Sequence, residues 1–401
     1  MGLSTRPPAP VRGRLGLSRG ILLRSLLGAI SFVLALLPAI VALGAFAPSI
    51  PTVGRFGALV VTHLPALLLE ACAAAAIAVV CLALGGGRWT RLLAGLTVGT
   101  MGAMVAVAGV TSIFAWQRGV PFDVFHMARA AVSSPAADRR VVYATVEGFE
   151  LGAEIWSARP AGTRSPAIVY VHGGAFISGH LASRPALFDA IAAAGITVVD
   201  VEYRLAAPPR WEDAPADILC ALAWVGTHAQ ELGVDPAKVV IVGESAGGNL
   251  AMLAGYAAGT DELTSSCDGP VIVPAGVFAV APTADLVGIW NDRTIYALDR
   301  PFPEAYIGGT PAEFPDRYDA AEPFRLLRPD LPPTFLLTGA NDHFVLPNRV
   351  TSVADRITAV GAKVTLVVAP FADHGFDGFP NGYGNQLQRV LLPRFVAEVT
   401  D

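Results

Sequence analysis

The sequence predicts an α/β fold, in which a mostly parallel sheet carries helices on both faces, preceded by three transmembrane helices. The first observation behind this prediction is an uneven distribution of charge. Residues 1–118 hold nine arginines, no lysine and one carboxylate, that of Glu70, whereas the remainder of the chain is acidic. The second is a change of pattern at about residue 139, where short β-branched runs begin to alternate with helix-like segments. The charge split indicates a membrane anchor before a globular domain, and the alternation is typical of a parallel sheet covered by helices.

Three apolar stretches in the front of the chain are long enough to cross a bilayer. They are residues 21–46, 59–84 and 92–115. A helix needs about 20 residues to span roughly 30 Å of hydrocarbon, so each stretch is predicted to be a transmembrane helix. The chain is therefore divided into a membrane anchor, residues 1–118, and a globular domain, residues 119–401.

The arginines favour one orientation of these helices. Five of them precede the first stretch: Arg6, Arg12, Arg14, Arg19 and Arg24. Arg88 and Arg91 lie between the second and third stretches, whereas only Arg55 lies between the first and the second. Because arginine-rich loops stay in the cytoplasm, the globular domain is predicted to lie on the extracytoplasmic side of a bacterial plasma membrane.

A cleaved signal peptide is the alternative interpretation of the first stretch. Ala45-Phe46-Ala47 has the small-x-small form of a cleavage site, but Pro48 follows it. The stretch is also longer than the apolar core of a signal peptide, and two further stretches come after it. These features favour a retained helix.

The four cysteines, Cys72, Cys81, Cys220 and Cys267, do not suggest a disulfide framework, and no C-x-x-C pair suggests zinc or redox chemistry. Cys220 lies in a helix-like run and is interpreted as a buried structural cysteine. Nucleic-acid binding is not expected, because the acidic globular part has no basic stripe.

Eight short runs are predicted strands and five segments are predicted helices. The strands are residues 139–147, 153–158, 167–171, 196–202, 238–243, 271–280, 334–339 and 363–369. The helices are residues 184–194, 214–231, 246–258, 348–360 and 383–399. Residues 283–328 interrupt the alternation and are rich in proline, aspartate and aromatic residues. This insertion is interpreted either as a lid over a pocket or as the core of a small subdomain.

The stretch VIVGESAGGNLAML, residues 240–253, places one serine between glycines where a predicted strand meets a helix. Residues 243–247 fit G-x-S-x-G in the required strand–turn–helix context. Such a turn lifts Ser245 Oγ clear of the sheet, beside a helix N-terminus whose partial positive charge favours developing negative charge. Ser245 is the predicted nucleophile, and the neighbouring Glu244 is predicted to brace the turn.

A second glycine motif, YVHGGAFISG at residues 170–179, follows a predicted strand. Acyl transfer passes through a tetrahedral oxyanion that needs unobstructed backbone N–H donors. The amides of Gly173, Gly174 and Ala246 are the candidates for this oxyanion hole. His172 is expected to brace the loop rather than to act as a base.

Two further residues complete a Ser-Asp-His order along the chain. Asp342 follows the end of one predicted strand and His374 follows the last one, at the edge of the sheet where open α/β folds place their chemistry. His374 is predicted to take the proton of the serine, and Asp342 to orient the imidazole. His343 as the base and Asp373 as the orienting acid are weaker alternatives.

With these motifs, the chain from about residue 141 to 399 resembles the α/β-hydrolase superfamily, within it the hormone-sensitive-lipase-like esterases and their bacterial carboxylesterase relatives. The resemblance depends on HGGAF, VEYRLAAPPRWEDAPADILCALAWV, GESAGGNLA, LLTGANDHFV and DHGF. It implies a Ser245–His374–Asp342 triad and an oxyanion hole of Gly173, Gly174 and Ala246. Ala175 replaces the common third glycine of the oxyanion motif, and the acid region is closer to prolyl-oligopeptidase-like and feruloyl-esterase-like branches.

The expected function is that of a membrane-anchored serine carboxylester hydrolase acting on acyl or acetyl esters, without a metal or organic cofactor. The alternatives are an acyltransferase or a peptidase with the same triad, or a non-catalytic protein that retains the fold. The substrate pocket is expected to involve Ala175, Phe176, Glu244, Trp290 and Tyr296. The oligomeric state, the acyl length and the alcohol of the ester stay open.

Overall fold

The computed structural model describes residues 13–50, 52–128, 135–160, 164–206, 208–292 and 301–401. The strands are β1 Arg139–Val146, β2 Phe149–Trp156, β3 Ser165–Val171, β4 Thr197–Val201, β5 Val234–Glu244, β6 Gly276–Val280, β7 Thr334–Gly339 and β8 Val364–Ala369. The N-terminal helices are α1 Gly13–Phe46, α2 Val53–Gly57, α3 Val60–Ala83 and α4 Arg88–Gln117. The later helices are α5 Pro185–Ala193, α6 Asp213–Thr227, α7 Ala229–Leu232, α8 Ala246–Ala257, α9 Leu286–Asn291, α10 Pro301–Ile307, α11 Pro315–Ala320, α12 Pro347–Ala359 and α13 Tyr383–Thr400. Short 3-10 helices lie at His126–Ala128 and Pro323–Leu326.

The eight strands form one sheet in the order β1-β2-β4-β3-β5-β6-β7-β8. The β1–β2 and β2–β4 pairs are antiparallel, and all later pairs are parallel. Strands β3, β4, β6 and β7 and the second half of β5 are buried almost throughout, as expected for strands covered on both faces. The parallel arrangement brings the carboxyl ends of β5, β7 and β8 to the same edge of the sheet, where the loops with the candidate residues begin.

Three of the N-terminal helices have the length and composition needed to cross a membrane: Gly20–Phe46, Val60–Ala83 and Arg88–Gln117. Most of each helix is not covered by protein, and large apolar side chains such as Leu22, Leu69 and Ile113 are exposed. This exposure would be costly in water and suits a lipid environment.

The ends of these helices pack against the α/β part. Ala45 of α1, Leu64 of α3 and Val107 of α4 belong to the same buried apolar cluster as Tyr383 and Leu387 of α13. Two aromatic side chains at the end of α4 and just after it, Phe114 and Phe122, lie against the ring of Tyr383. The N-terminal helices and the α/β part therefore share one continuous core.

One predicted strand is shorter than expected. Residues 271–280 were predicted to be a single strand, but only Gly276–Val280 pairs in the sheet. Pro274 interrupts this run, and proline has no backbone N–H to donate to a neighbouring strand. The apolar, β-branched composition of the preceding residues therefore misled the prediction.

The interpretation of the cysteines was wrong for one pair. Cys220 and Cys267 form a disulfide with a Cα–Cα distance of 5.3 Å, which joins α6 to the loop after α8. Cys220 is buried as expected, but its sulfur is bonded rather than free. The 47-residue separation of the two cysteines gives no recognisable spacing, so the sequence did not reveal the pair.

The insertion at residues 283–328 contains α9, α10, α11 and the second 3-10 helix, apart from residues 293–300, which lie outside the described residues. Phe302, Tyr306 and Tyr318 of this insertion are buried in the main apolar cluster. The described part of the insertion is therefore a packed extension of the core.

Candidate active site

Ser245 occupies a strained turn between β5 and α8. Its φ of 52° and ψ of −119° lie outside the regions that non-glycine residues favour. The serine N–H donates to the carbonyl of Val280 at 2.8 Å, which ties the turn to β6. A Cβ at Gly243 would lie 2.1 Å from the Gly247 oxygen, and one at Gly247 would lie 2.1 Å from the Val171 oxygen. Both glycines are required because the backbone passes too closely for any side chain.

The structure brings Ser245, His374 and Asp342 together in a chain of hydrogen bonds. His374 Nε2 lies 3.0 Å from Ser245 Oγ. His374 Nδ1 lies 2.9 Å from Asp342 Oδ2. Since β5, β7 and β8 end at the same edge of the sheet, the loops that follow them meet there, although these residues are far apart in the sequence.

Asp342 is held in a fixed orientation. Its Oδ1 accepts hydrogen bonds from the backbone N–H groups of Phe344 at 2.9 Å and Val345 at 2.8 Å. This leaves Oδ2 for the imidazole, and the carboxylate is only 2% exposed. The His374 ring also stacks against Phe344, with centroids 4.7 Å apart.

The pKa of His374 is raised above its ordinary value. Burial opposes the charged imidazolium, but the negative charge and hydrogen bond of Asp342, with smaller contributions from Asp373 and Asp377, outweigh that cost. The surroundings of the ring therefore favour the charged imidazolium form of His374.

The candidate oxyanion residues lie beside the serine. A Cβ at Gly173 would lie 3.3 Å from Ser245 Cβ, and Gly174 adopts a φ of 123° that favours glycine. Ala246 is the first residue of α8, so its amide is at a helix N-terminus. His172 is buried, stacks on Tyr203 with centroids 4.5 Å apart and contacts the Gly173 carbonyl through Nδ1 at 2.8 Å.

A cavity of about 310 Å³ opens at the serine. Its wall includes both candidate oxyanion glycines, Gly173 and Gly174, together with Ser245, His374, Ala175, Glu244, Arg184, Asp377, Ser178, Val280, Ala281, Phe344 and Gly375. Two of the expected pocket residues, Ala175 and Glu244, therefore line it.

Two other expected pocket residues lie elsewhere, among those that the structure describes. Phe176 is fully buried and stacks on Tyr306 with centroids 3.9 Å apart, so its ring is part of the core. Trp290 of α9 donates from its indole N–H to Glu304 at 3.0 Å and does not line the cavity. The aromatic character of both residues led to the prediction that they line the pocket. Instead, Phe176 packs against the insertion, and Trp290 lies within it. Tyr296 lies outside the described residues.

In the described ranges, no three His, Cys, Asp or Glu side chains are grouped closely enough to hold a metal ion. The ionisable groups that line the cavity are the imidazole of His374, the carboxyl groups of Glu244 and Asp377, and the guanidinium of Arg184.

A family model, BD-FAE, matches residues 154–357. The chain belongs to the BD-FAE family. The match includes Ser245 and Asp342 but ends before His374, which the fold supplies from the loop after β8.

Curated relatives of this BD-FAE member include two proteins of Mycobacterium tuberculosis. Esterase LipC is 28% identical over 246 residues, which are 60% of this chain and 60% of LipC. Carboxylesterase NlhH is 30% identical over 226 residues, which are 53% of this chain and 67% of NlhH. The chain thus spans about 60% of the length of the curated relatives that it matches.

Among solved structures, esterase 2 of Thermogutta terrifontis phosphonylated by sarin aligns with a TM-score of 0.57 and 26% identity. The alignment covers 68% of this chain and 98% of that one. The α/β-hydrolase fold preceded by three apolar helices is thereby confirmed.

Sequence reasoning missed a cluster of charged side chains in the wall of the cavity. Arg184 donates to Glu244 Oε2 at 2.5 Å and lies 3.6 Å from Asp377. Gln388 donates to the same Asp377 carboxylate at 3.0 Å. Burial and the neighbouring Asp377 carboxylate raise the pKa of Glu244 to about 7, although Arg184 opposes the shift. Arg184 comes from α5's N-terminal edge and Asp377 from the loop after His374, and no spacing in the sequence relates them.

Proposed function

We propose that the chain is a membrane-anchored serine carboxylester hydrolase, with Ser245 as nucleophile, His374 as general base and Asp342 as the orienting acid. The observation that carries the proposal is the pair of contacts from His374, at 3.0 Å to Ser245 Oγ and at 2.9 Å to Asp342 Oδ2. Ser245 lies in a strained turn at the edge of a cavity. A serine hydrogen-bonded to an imidazole that a carboxylate orients is the arrangement that activated serine nucleophiles require.

The reaction follows from the roles of these groups. His374 Nε2 removes the proton from Ser245 while Oγ attacks the ester carbonyl, and the resulting oxyanion accepts hydrogen bonds from the amides of Gly173, Gly174 and Ala246. The imidazolium then gives its proton to the leaving alcohol, which leaves an acyl-enzyme. Water, deprotonated by the same imidazole, attacks the acyl-enzyme and releases the carboxylic acid.

The names of the relatives support ester hydrolysis. LipC is an esterase and NlhH a carboxylesterase, and an ethyl acetate hydrolase of Pseudomonas putida is 40% identical over 101 residues. A cavity of about 310 Å³ suits a small acyl or acetyl group, since it lies at the lower end of the range of about 300–1,000 Å³ that ligand pockets cover.

Residues 1–118 would form the membrane anchor and residues 119–401 the catalytic domain. The three apolar helices and the distribution of arginines support an extracytoplasmic catalytic domain. The Cys220–Cys267 disulfide supports the same side, because disulfides persist in oxidising compartments outside the cytoplasm.

The experiment that tests the proposal is fluorophosphonate labelling of cells, with permeant and impermeant probes compared. The outer envelope is permeabilised while the inner membrane stays sealed. We expect both probes to label the wild type and neither to label Ser245→Ala. Ser178→Ala, which removes another hydroxyl from the cavity wall, should still label.

Labelling of Ser245→Ala, or hydrolysis of p-nitrophenyl acetate by this purified variant, would contradict the assignment of the nucleophile. Labelling of the wild type by the permeant probe alone would retain the esterase and reverse the topology. The two parts of the proposal therefore fail separately.

A further inference from the structure

The loop that carries Asp342 is hydrogen-bonded to the C-terminal end of α1 and the segment just after it. The two residues that flank Asp342 in the sequence make these contacts. Asn341 Nδ2 donates to the carbonyl of Ala45, in the last turn of α1, at 2.8 Å. His343 Nε2 lies 2.9 Å from the carbonyl oxygen of Pro48, two residues after α1 ends. The residues immediately before and after Asp342 thus both bind backbone oxygens from the N-terminal part of the chain.

The hydrogen-bond partners of His343 favour its charged form. Its Nδ1 lies 2.6 Å from Asp373 Oδ2, and its Nε2 faces the Pro48 carbonyl, which can only accept, so Nε2 carries a proton in this contact. Asp373 Oδ1 accepts from the backbone N–H groups of His343 at 2.9 Å and His374 at 2.7 Å. The hydrogen bond and the charge of Asp373 raise the pKa of His343 above its ordinary value despite burial.

Helix α2 packs closely against the contact between His343 and Pro48. A Cβ at Gly54 of α2 would lie 2.1 Å from the Pro48 oxygen and 3.0 Å from His343 Nε2. Glycine at this position is therefore what allows the Pro48 carbonyl to reach the imidazole. Next to it, the ring of Phe46 packs edge-on against Phe371, in the loop before His374, with centroids 5.1 Å apart.

We propose that Asn341 and His343 are positioning residues that hold Asp342 against His374 by tying its loop to the C-terminal end of α1. The N-terminal helices are then part of the catalytic arrangement as well as an anchor. This inference rests on the proposed triad.

The consequence for catalysis is specific. If the two contacts are lost, the loop is free to shift, and Asp342 no longer fixes the tautomer and charge of His374. A displacement of about 1 Å can reduce the rate about a hundredfold, and neither Asn341 nor His343 is among the described residues that line the cavity. Loss of the contacts should therefore lower kcat and leave KM nearly unchanged.

The test uses the full-length protein in detergent micelles or nanodiscs and p-nitrophenyl acetate. Asn341→Leu removes one contact. His343→Asn can keep a donor near the Nδ1 position but cannot reach Pro48, whereas His343→Gln places its amide near the Nε2 position and can. Gly54→Ala perturbs the same contact from α2.

Arg394→Leu is the matched control. Arg394 donates to the carbonyl of Arg118 at 2.6 Å, so its substitution weakens a different junction between the same two parts of the chain. Melting temperatures are measured for every variant, and kcat and KM are compared only among variants that remain folded.

We expect Asn341→Leu and His343→Asn to lower kcat about tenfold to a hundredfold with little change in KM, and Gly54→Ala to act in the same direction. His343→Gln should retain more activity than His343→Asn. The acid limb of kcat/KM should also move to lower pH in the impaired variants, because a displaced Asp342 raises the pKa of His374 less.

Wild-type kcat in folded Asn341→Leu and His343→Asn would overturn the inference. An equal loss of kcat in Arg394→Leu would also overturn it. The loss of kcat would then follow from weakening any contact between the N-terminal helices and the α/β part, not from the contacts of Asn341 and His343. Ser245→Ala is assayed in parallel: if it is inactive while Asn341→Leu and His343→Asn keep wild-type activity, only the positioning role fails. If it is active, the proposed nucleophile itself fails.

Discussion

Asp373 Oδ2 lies 2.6 Å from Nδ1 of His343, although the residue next to Asp373 in the sequence is His374. The second Asp–His pair is crossed in the same sense: Asp342 is next to His343 in the sequence but lies 2.9 Å from the ring of His374. Each carboxylate therefore orients the imidazole of the other loop. The crossed pairs separate two functions, since one imidazole contacts Ser245 and the other contacts Pro48.

The crossed pairing predicts unequal effects of two isosteric substitutions. Asp342→Asn should lower kcat by about four orders of magnitude, because an asparagine in this position favours the wrong imidazole tautomer. Asp373→Asn should lower kcat far less, because the Asp373 carboxylate binds the ring of His343 and reaches His374 only through its backbone N–H and a smaller effect on its pKa. The measurement is kcat for p-nitrophenyl acetate, with the melting temperature of each variant as the control for folding. Equal losses in the two variants would contradict the separate roles.

The pKa of His374 predicts the pH dependence of the reaction. The ring must be neutral to accept the proton of Ser245, and Asp342 raises its pKa above the ordinary 6.5 despite burial. Activity should therefore fall as the pH drops, along an acid limb whose midpoint lies above pH 6.5. The kcat/KM profile for a neutral ester measures this midpoint for the free enzyme. An acid limb below pH 6.5 would show that Asp342 does not act on the ring as the structure indicates.

Glu244 predicts a pH-dependent change in stability. Its pKa is raised from 4.5 to about 7 by burial and by Asp377, so the folded state retains a proton that the unfolded chain releases. The wild type should lose stability relative to Glu244→Gln as the pH rises from about 4.5 through about 7, because glutamine stays neutral. The melting temperature of the wild type should therefore fall relative to that of Glu244→Gln as the pH rises.

Glu150→Gln, at an exposed glutamate of β2, is the control for Glu244→Gln. Its melting temperature should follow that of the wild type at every pH. A constant difference between Glu244→Gln and the wild type would show that the buried glutamate does not hold a proton in the folded state.

Local sequence patterns predicted most of the sheet and the three residues that the structure brings together. Ser245 was marked by glycines that the close backbone approach requires, and Asp342 and His374 by their places after predicted strands. Each signal can be read from the neighbouring residues alone, because the parallel sheet itself brings the strand ends together at one edge.

Features that depend on the meeting of distant segments left no local signal. Arg184 and Asp377 reach Glu244 from two separate parts of the chain, and Asn341 contacts Ala45 across 296 residues of sequence. Phe176 was predicted to line the pocket because it follows the oxyanion glycines, but Tyr306 covers its ring. The insertion's tertiary packing determined this outcome, and no periodicity within residues 283–328 revealed it.

The disulfide predicts a further measurable property, which is a loss of stability on reduction. Cys220 is fully buried in α6, and its bond to Cys267 closes a loop of 47 residues. Replacing both by alanine should lower the free energy of unfolding by about 2–4 kcal/mol, because the unfolded chain gains freedom. Dithiothreitol should likewise lower the melting temperature of the wild type and leave that of the double variant unchanged.

The two free cysteines allow a matched control for this experiment. Cys72 and Cys81 lie in α3 and are unbonded, so a Cys72→Ser, Cys81→Ser protein should respond to dithiothreitol as the wild type does. In cells, trapping of free thiols should modify neither Cys220 nor Cys267 before reduction if the catalytic domain faces an oxidising compartment. Free thiols at both positions in a folded, active protein would contradict the extracytoplasmic assignment, since the cytoplasm keeps such pairs reduced.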